Sequence, residues 1–231
     1  MSNAAFVDEN QFSGLINYCF PLSKISWLKV GGPVDVLFRP RTLDDLSRFL
    51  PLVPIEVNIM PIGACSNLLV RDGGLPGVVI KLGGRFAEIE PKDNLVKLGA
   101  GSLSSKVAVN LSELGYDLSF LRTIPGTIGG AIAMNAGCYG NYMGDYVQSI
   151  EGFDKSGKFT RVSRENIQFE YRSSGLPTNF IITSAVLKPK RGKKRVIQQK
   201  MKEILNSGTL IFLSDFIFRI MAILFPIVTY G

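Results

Sequence analysis

Histidine is absent from all 231 residues, which removes the commonest general base and the commonest metal ligand from any chemistry assigned to the chain. Cysteine is scarce as well. Cys19, Cys65 and Cys138 are an odd number, widely spaced and without a CxxC pair, so neither a disulfide framework nor a zinc cluster is expected, and a reducing cytoplasm fits best. The first ten residues hold Asp8 and Glu9 and lack a basic start followed by an apolar run, so no secretory signal is expected and Met1–Ala5 reads as a frayed start. Acidic residues are missing from Lys188–Lys202, where eight positive charges fall; taken from the total of +7, they leave the rest of the chain at −1. The body therefore lacks a basic face, and it lacks the interleaved aromatic and basic residues that grip single strands. No nucleic-acid partner is expected.

What the chain does have is core and glycine. A 46% hydrophobic composition can build one large or two small domains. Ile124 to Gly140 reads Ile-Pro-Gly-Thr-Ile-Gly-Gly-Ala-Ile-Ala-Met-Asn-Ala-Gly-Cys-Tyr-Gly, with five glycines among small residues. Such density means either that the backbone must adopt positive φ or that something approaches it closely. A flat ligand and a buried turn-and-helix junction both satisfy that demand. Gly63-Ala64-Cys65-Ser66-Asn67 lies between the β-branched run ending at Ile62 and the apolar run Leu68–Val70, a strand-to-strand loop that is either an ordinary turn or a nest of backbone N–H groups suited to phosphate oxygens. It is neither a Walker motif nor a GxGxxG fingerprint, because the spacing and the following helix are missing.

Around these loops the pattern is mixed. After an irregular lead, a strand is expected up to Arg39. Thr42 then caps a short helix with Asp45 at its third position and Leu43, Leu46 and Leu50 as its apolar residues. Ile55–Ile62 reads as a strand. Val78–Leu82, Phe86–Glu90 and Leu95–Ala100 suggest an antiparallel meander. Ser102 is expected to cap a helix ended by Gly115. Val147–Phe153 and Phe159–Val162 form a hairpin, and Ile181–Leu187 is a last β run. Arg172, within Phe169-Glu170-Tyr171-Arg172-Ser173-Ser174, is either a surface residue or a fork for a carboxylate.

Four segments in order carry a resemblance: Trp27–Gly32, Gly63–Gly73, Ile124–Gly140 and Tyr171–Ser173. Across about residues 25–205 the chain resembles the UDP-N-acetylenolpyruvoylglucosamine reductases, the MurB flavoenzymes of bacterial peptidoglycan synthesis. Cys65 departs from the family pattern, which usually has glycine there. The resemblance implies an α+β fold of the vanillyl-alcohol-oxidase/PCMH type, with two FAD-binding subdomains over 25–82 and 83–190. It leaves 1–24 as a lead, 191–207 as a basic helix or linker and 208–231 as an apolar tail outside the family pattern.

It also implies that Gly63, Ala64, Cys65, Ser66 and Asn67 hold the FAD pyrophosphate, and that Pro125, Gly126, Thr127, Gly129, Gly130, Met134, Asn135, Ala136 and Gly137 line the flavin. In the family, NADPH reduces the flavin, which passes hydride to the enolpyruvyl double bond of a UDP-sugar ether, and Arg172 matches the arginine that stabilises the enolate-like charge. The family's third domain, with its proton-donor serine and late glutamate, has no match here. From Gly208 the chain is either a membrane span, burdened by Asp215 and Arg219, or an ending substituted by a frameshift or premature stop. The second is expected, with the missing domain encoded downstream in another frame. The function classes carried forward are the NADPH-dependent reductase, an inactive FAD-binding fragment of it, and another flavin oxidase of the same fold.

Overall fold

The computed structural model describes residues 8–206, so the expectations for Met1–Ala5 and for the stretch from Gly208 lie outside the described residues. Four strands build a first sheet: β1 (Leu15–Pro21), β2 (Pro33–Arg39), β3 (Ile59–Ile62) and β4 (Leu75–Lys81), in the order β1-β2-β4-β3. β1 runs antiparallel to β2, whereas β4 is parallel to both β2 and β3. Val78, Val79 and Ile80 of β4 are all buried, the continuous apolar run of a strand covered on both faces. Helix α1 (Leu43–Phe49) starts at Thr42, whose hydroxyl accepts from Asp45 N–H while the Asp45 carboxylate accepts from Thr42 N–H. That reciprocal pair is the box expected from the sequence.

The lead is not irregular. β1 pairs with β2 from Leu15 to Pro21, and Phe12 sets its ring edge-on to Phe38 and Phe49, 5.7 Å from each. Phe12 and Leu15–Pro21 are thus part of the first sheet and its core. Three other expectations also need correcting. Val78–Lys81 of the Val78–Leu82 run belongs to β4 in the first sheet, parallel, and is no part of a meander; Phe86 lies inside a single 3-10 turn, Gly84–Ala87. A β-branched run bounded by glycines carries no mark of which neighbour it will pair with, so the sequence pattern could not choose. Leu68–Val70 is loop leading to β4, where a second strand had been expected. Ser102 does not cap: helix α2 (Ser104–Glu113) starts from Leu103, and Ser102 spends its carbonyl on Ile128 N–H at 2.9 Å.

The second sheet is wholly antiparallel. Strands β5 (Ile89–Lys92) and β6 (Leu95–Gly99) join β10 (Val147–Phe153), β11 (Phe159–Ser163) and β12 (Ile181–Leu187) in the order β11-β10-β12-β6-β5. Between β6 and β10 lie α2, the two-residue β7 (Tyr116–Asp117), helix α3 (Ile128–Ala133) and the small pair β8 (Gly137–Cys138) and β9 (Asn141–Tyr142). β13 (Lys190–Arg191) pairs with β7 and leads into helix α4, residues 194–206. Of the two alternatives for this basic segment it is the helix that forms, and α4 is docked. Ile197, Met201 and Ile204 are buried at helical spacing, Lys200 meets Asp117 at 3.0 Å, and Lys194 pairs with Glu113. No helix among the described residues is long and apolar enough to cross a membrane.

The two halves share a core. Phe153 and Ile181 from the second sheet pack with Phe38, Leu46, Phe49 and Ile80 of the first. The β10–β11 hairpin tip reinforces this: Lys155 Nζ donates to the carbonyls of Ile55 (2.5 Å) and Val57 (2.7 Å), about a hundred residues away in sequence. Lys155→Met removes a charged donor from two carbonyls and is expected to cost about 1–2 kcal/mol. At roughly 2–4 °C per kcal/mol for a chain of this size, a calorimetric Tm should fall by several degrees. An unchanged Tm would mean that the hairpin tip does not hold the halves together.

Candidate functional site

The two glycine loops, sixty residues apart in sequence, are built against each other. β3 delivers Gly63–Asn67 at its carboxyl end, and Ile124–Thr127 leads into α3. Ser66 Oγ donates to Pro125 O at 3.1 Å. A Cβ on Gly63 would stand 2.3 Å from Thr127 Oγ1, and one on Gly126 would stand 2.9 Å from Ser66 Oγ. Contact this tight requires glycine on both sides.

The clearance leaves donors free. The N–H groups of Ala64, Cys65, Ser66, Asn67, Gly126 and Thr127 find no acceptor among the described residues. Successive unspent amides in a folded-back loop are an anion-binding concavity. Cys65 sits at φ +55°, a left-handed conformation that glycine adopts without cost, and this gives the physical reason for glycine at that position in the family pattern. Burial pushes its thiol up, against the opposing pull of the Lys81 charge.

From there α3 leads to the second half of the site. Thr127 Oγ1 accepts from Gly130 N–H at 3.5 Å, and Gly129 N–H donates to Ala100 O at 2.8 Å, seating the helix against the end of β6. Gly130, Ala133 and Gly137 are exposed, so the wall presents small residues outward, and a flat ring can lie on it. About 9 Å of helix separates the nest from the turn at the far end.

That turn carries Arg172. Glu170 and Ser173 exchange backbone hydrogen bonds of 2.9 and 3.3 Å around it, and Arg172 itself adopts φ +60°. Asn135 holds the turn against the wall: its Nδ2 donates to Glu170 O and its Oδ1 accepts from Gly144 N–H, both at 2.9 Å. Ser174 N–H adds a bond to Ala133 O at 3.1 Å. Both ends of the Asn135 amide are thus spent on the protein. The Arg172 guanidinium is exposed, 5.9 Å from the centre of the Tyr171 ring, available to an incoming carboxylate.

Sequence reasoning passed over Lys81. The parallel pairing of Ile62 with Lys81 sets it beside the first loop, and its Nζ donates to Gly63 O at 2.6 Å. Burial holds its pKa below the ordinary lysine value, Cys65 opposes that shift, and Arg39 adds to it. Eighteen residues separate Lys81 from Gly63, and no local signal joins them.

An amide nest, a clearance only glycine permits and a shelf of small residues fit a dinucleotide with a flat ring. The fold and site define an FAD-binding protein of the vanillyl-alcohol-oxidase/PCMH type. The family profile described as an FAD binding domain matches residues 34–163, and the fold alone recurs in a berberine-bridge-enzyme-like protein of Physcomitrella patens at 13% identity and TM-score 0.58. Within that class, the chain belongs to the UDP-N-acetylenolpyruvoylglucosamine reductase family. It superposes on the Thermus caldophilus reductase (MurB) with TM-score 0.73 and 33% identity, covering 84% of this chain and 69% of that one. It is 43% identical to the reductase of Roseobacter denitrificans over 82% of this chain and 62% of that protein. For the Jannaschia reductase the figures are 44%, 79% and 59%. The chain spans about three fifths of the length of these curated relatives.

Proposed function

We propose that the chain binds FAD with its diphosphate on the loops at Gly63–Asn67 and Gly126–Thr127 and its ring along Gly129–Gly137. In this proposal it forms the flavin-holding part of a cytoplasmic reductase that takes NADPH and the enolpyruvyl ether of a UDP-sugar. The observation that carries this is the nest of unspent amides where Ser66 joins the two loops. FAD, when bound, supplies the hydride chemistry. The chain's own residues position and stabilise. α3 gives the ring a dry wall, and the Arg172 guanidinium is free to meet the substrate carboxylate as enolate-like charge develops. The relatives' name supports the reductase reading and the substrate, and the peptidoglycan role follows from the family resemblance. A second reading is that this stretch, about three fifths of the relatives' length, holds FAD but does not by itself complete turnover.

One experiment separates the outcomes. The purified chain is reconstituted with FAD, its spectrum recorded, and NADPH added without oxygen, with and without the enolpyruvyl substrate. Substrate-dependent flavin reoxidation supports the reductase; bound flavin without it supports the flavin-holding part; a colourless chain that takes up no FAD overturns both. Where reoxidation occurs, Arg172→Lys keeps the charge and loses the planar fork, and should slow it by about tenfold with FAD affinity unchanged.

A further inference from the structure

Two cations end adjacent strands behind the first loop. Arg39 closes β2 and Lys81 closes β4, on strands paired in register through Phe38 and Ile80. Both are half-buried, and among the described residues neither makes an ion pair. Arg39 Nε is buried without a hydrogen-bond partner, its guanidinium resting over the Phe20 ring at 5.1 Å. Unpaired charge withdrawn from water is costly unless an anion compensates it. No carboxylate of the described chain does so.

Lys81 points at one atom, Gly63 O. The Gly63–Ala64 peptide is trans, as are all those among the described residues, and in a trans peptide the C=O and the following N–H point in opposite directions. Turning the Gly63 carbonyl back onto the ammonium therefore turns Ala64 N–H outward, in the sense the nest requires. A donor on the carbonyl also polarises the peptide and strengthens that N–H. We propose that Lys81 is a positioning residue for the FAD diphosphate, setting the Gly63–Ala64 peptide from behind and supplying the positive charge that the loop lacks. Arg39 adds to the same field. This rests on the FAD reading above, though its anion chemistry can be tested apart from it.

Lys81→Met and Lys81→Arg are compared with the parent chain for FAD affinity, by quenching of flavin fluorescence over a range of salt, and for the Tm of the FAD-free chain. The expected result is at least tenfold weaker FAD binding in Lys81→Met with a shallower salt dependence, near-parental binding in Lys81→Arg, and little change in the FAD-free Tm. Three results would overturn the assignment: FAD binding by Lys81→Met within threefold of the parent, a loss with unchanged salt dependence, or an equal loss in both variants. Inorganic pyrophosphate is the second probe. If the parent takes up no FAD but pyrophosphate raises its Tm and not that of Lys81→Met, the FAD reading fails and Lys81 stands as a positioning residue for the diphosphate of another ligand. If pyrophosphate raises neither, both fail.

Discussion

Gly126→Ala is expected to weaken FAD binding by about a hundredfold, through strain worth roughly 1–3 kcal/mol at a single backbone position and the movement that relieves it. Gly126 has φ +112°, outside the regions open to a residue with a Cβ. The added methyl would also stand 2.9 Å from Ser66 Oγ, the atom that ties the two loops by donating to Pro125 O. Either Ser66 gives up that bond or the 124–127 segment moves. In both cases the free amides of Ala64–Asn67 and of Gly126–Thr127 stop converging on one anion. Gly63→Ala should act similarly but for a different reason, since its only close obstacle is Thr127 Oγ1 at 2.3 Å. Adding Thr127→Ala removes that obstacle and should recover binding, at the cost of a helix cap worth about 1 kcal/mol. No such rescue is expected for Gly126→Ala, whose strain is in the backbone. Titration of flavin fluorescence checks all of these, and parental FAD affinity in Gly126→Ala would remove the loop junction from the cofactor site.

The contrast between these glycines shows what the sequence could convey. Each glycine-rich segment was visible as a chain that must bend or be approached, and so was the choice between turn and ligand site. The contact that decides the matter, Ser66 to Pro125, joins residues 59 apart, and neither segment names the other. Local devices were legible throughout: the Thr42–Asp45 box, the hairpin after Phe153, the run Ile181–Leu187, and Gly115 with φ +77° after α2. Each is decided by residues within a few positions of one another. Pairings were not legible. β4 reads as a strand in any sheet, and only its parallel register with β3 sets Lys81 behind Gly63. Ser102 has the composition of a cap but lies in a crossing where its carbonyl is taken by Ile128, and its hydroxyl is buried without a partner. Tertiary packing overrode local preference there. The lead is ordered in the same non-local way, by the pairing of β1 with β2 and by the bonds from Ser13 to Asp45, more than thirty residues on.

Asp45 is where the largest loss of stability is expected. Its side chain is 3% exposed, and its carboxylate accepts from four donors: Ser13 N–H at 3.0 Å, Ser13 Oγ at 2.7 Å, Arg41 N–H at 2.8 Å and Thr42 N–H at 3.1 Å. One residue thus ties the N-terminal segment to β2's exit and to the start of α1. Asp45→Ala strands all four donors, of which water can reach those at the exposed Ser13 and Arg41. Hydrogen bonds to a charged group contribute roughly 1.5–3 kcal/mol each, and with water reaching most of the stranded donors a loss of about 3 kcal/mol is expected. For a chain of this size that corresponds to a Tm lower by about 6–12 °C.

The ionisation adds a second, independent sign. Burial alone raises the Asp45 pKa, but the hydrogen bonds from Ser13, Arg41 and Thr42 outweigh it and hold the carboxyl below its ordinary value of 3.8. A group depressed in the folded state stabilises it above the unfolded pKa and loses that contribution as pH falls through the folded value. Asp45→Asn, which keeps one acceptor oxygen and cannot ionise, should therefore be less stable than the parent at neutral pH. The gap should close as pH drops below about 3.8 toward the folded pKa. Denaturant unfolding of both chains at neutral and acid pH checks this. A gap that persists unchanged into acid would mean that the carboxylate's shape, and not its charge, holds the N-terminal segment in place.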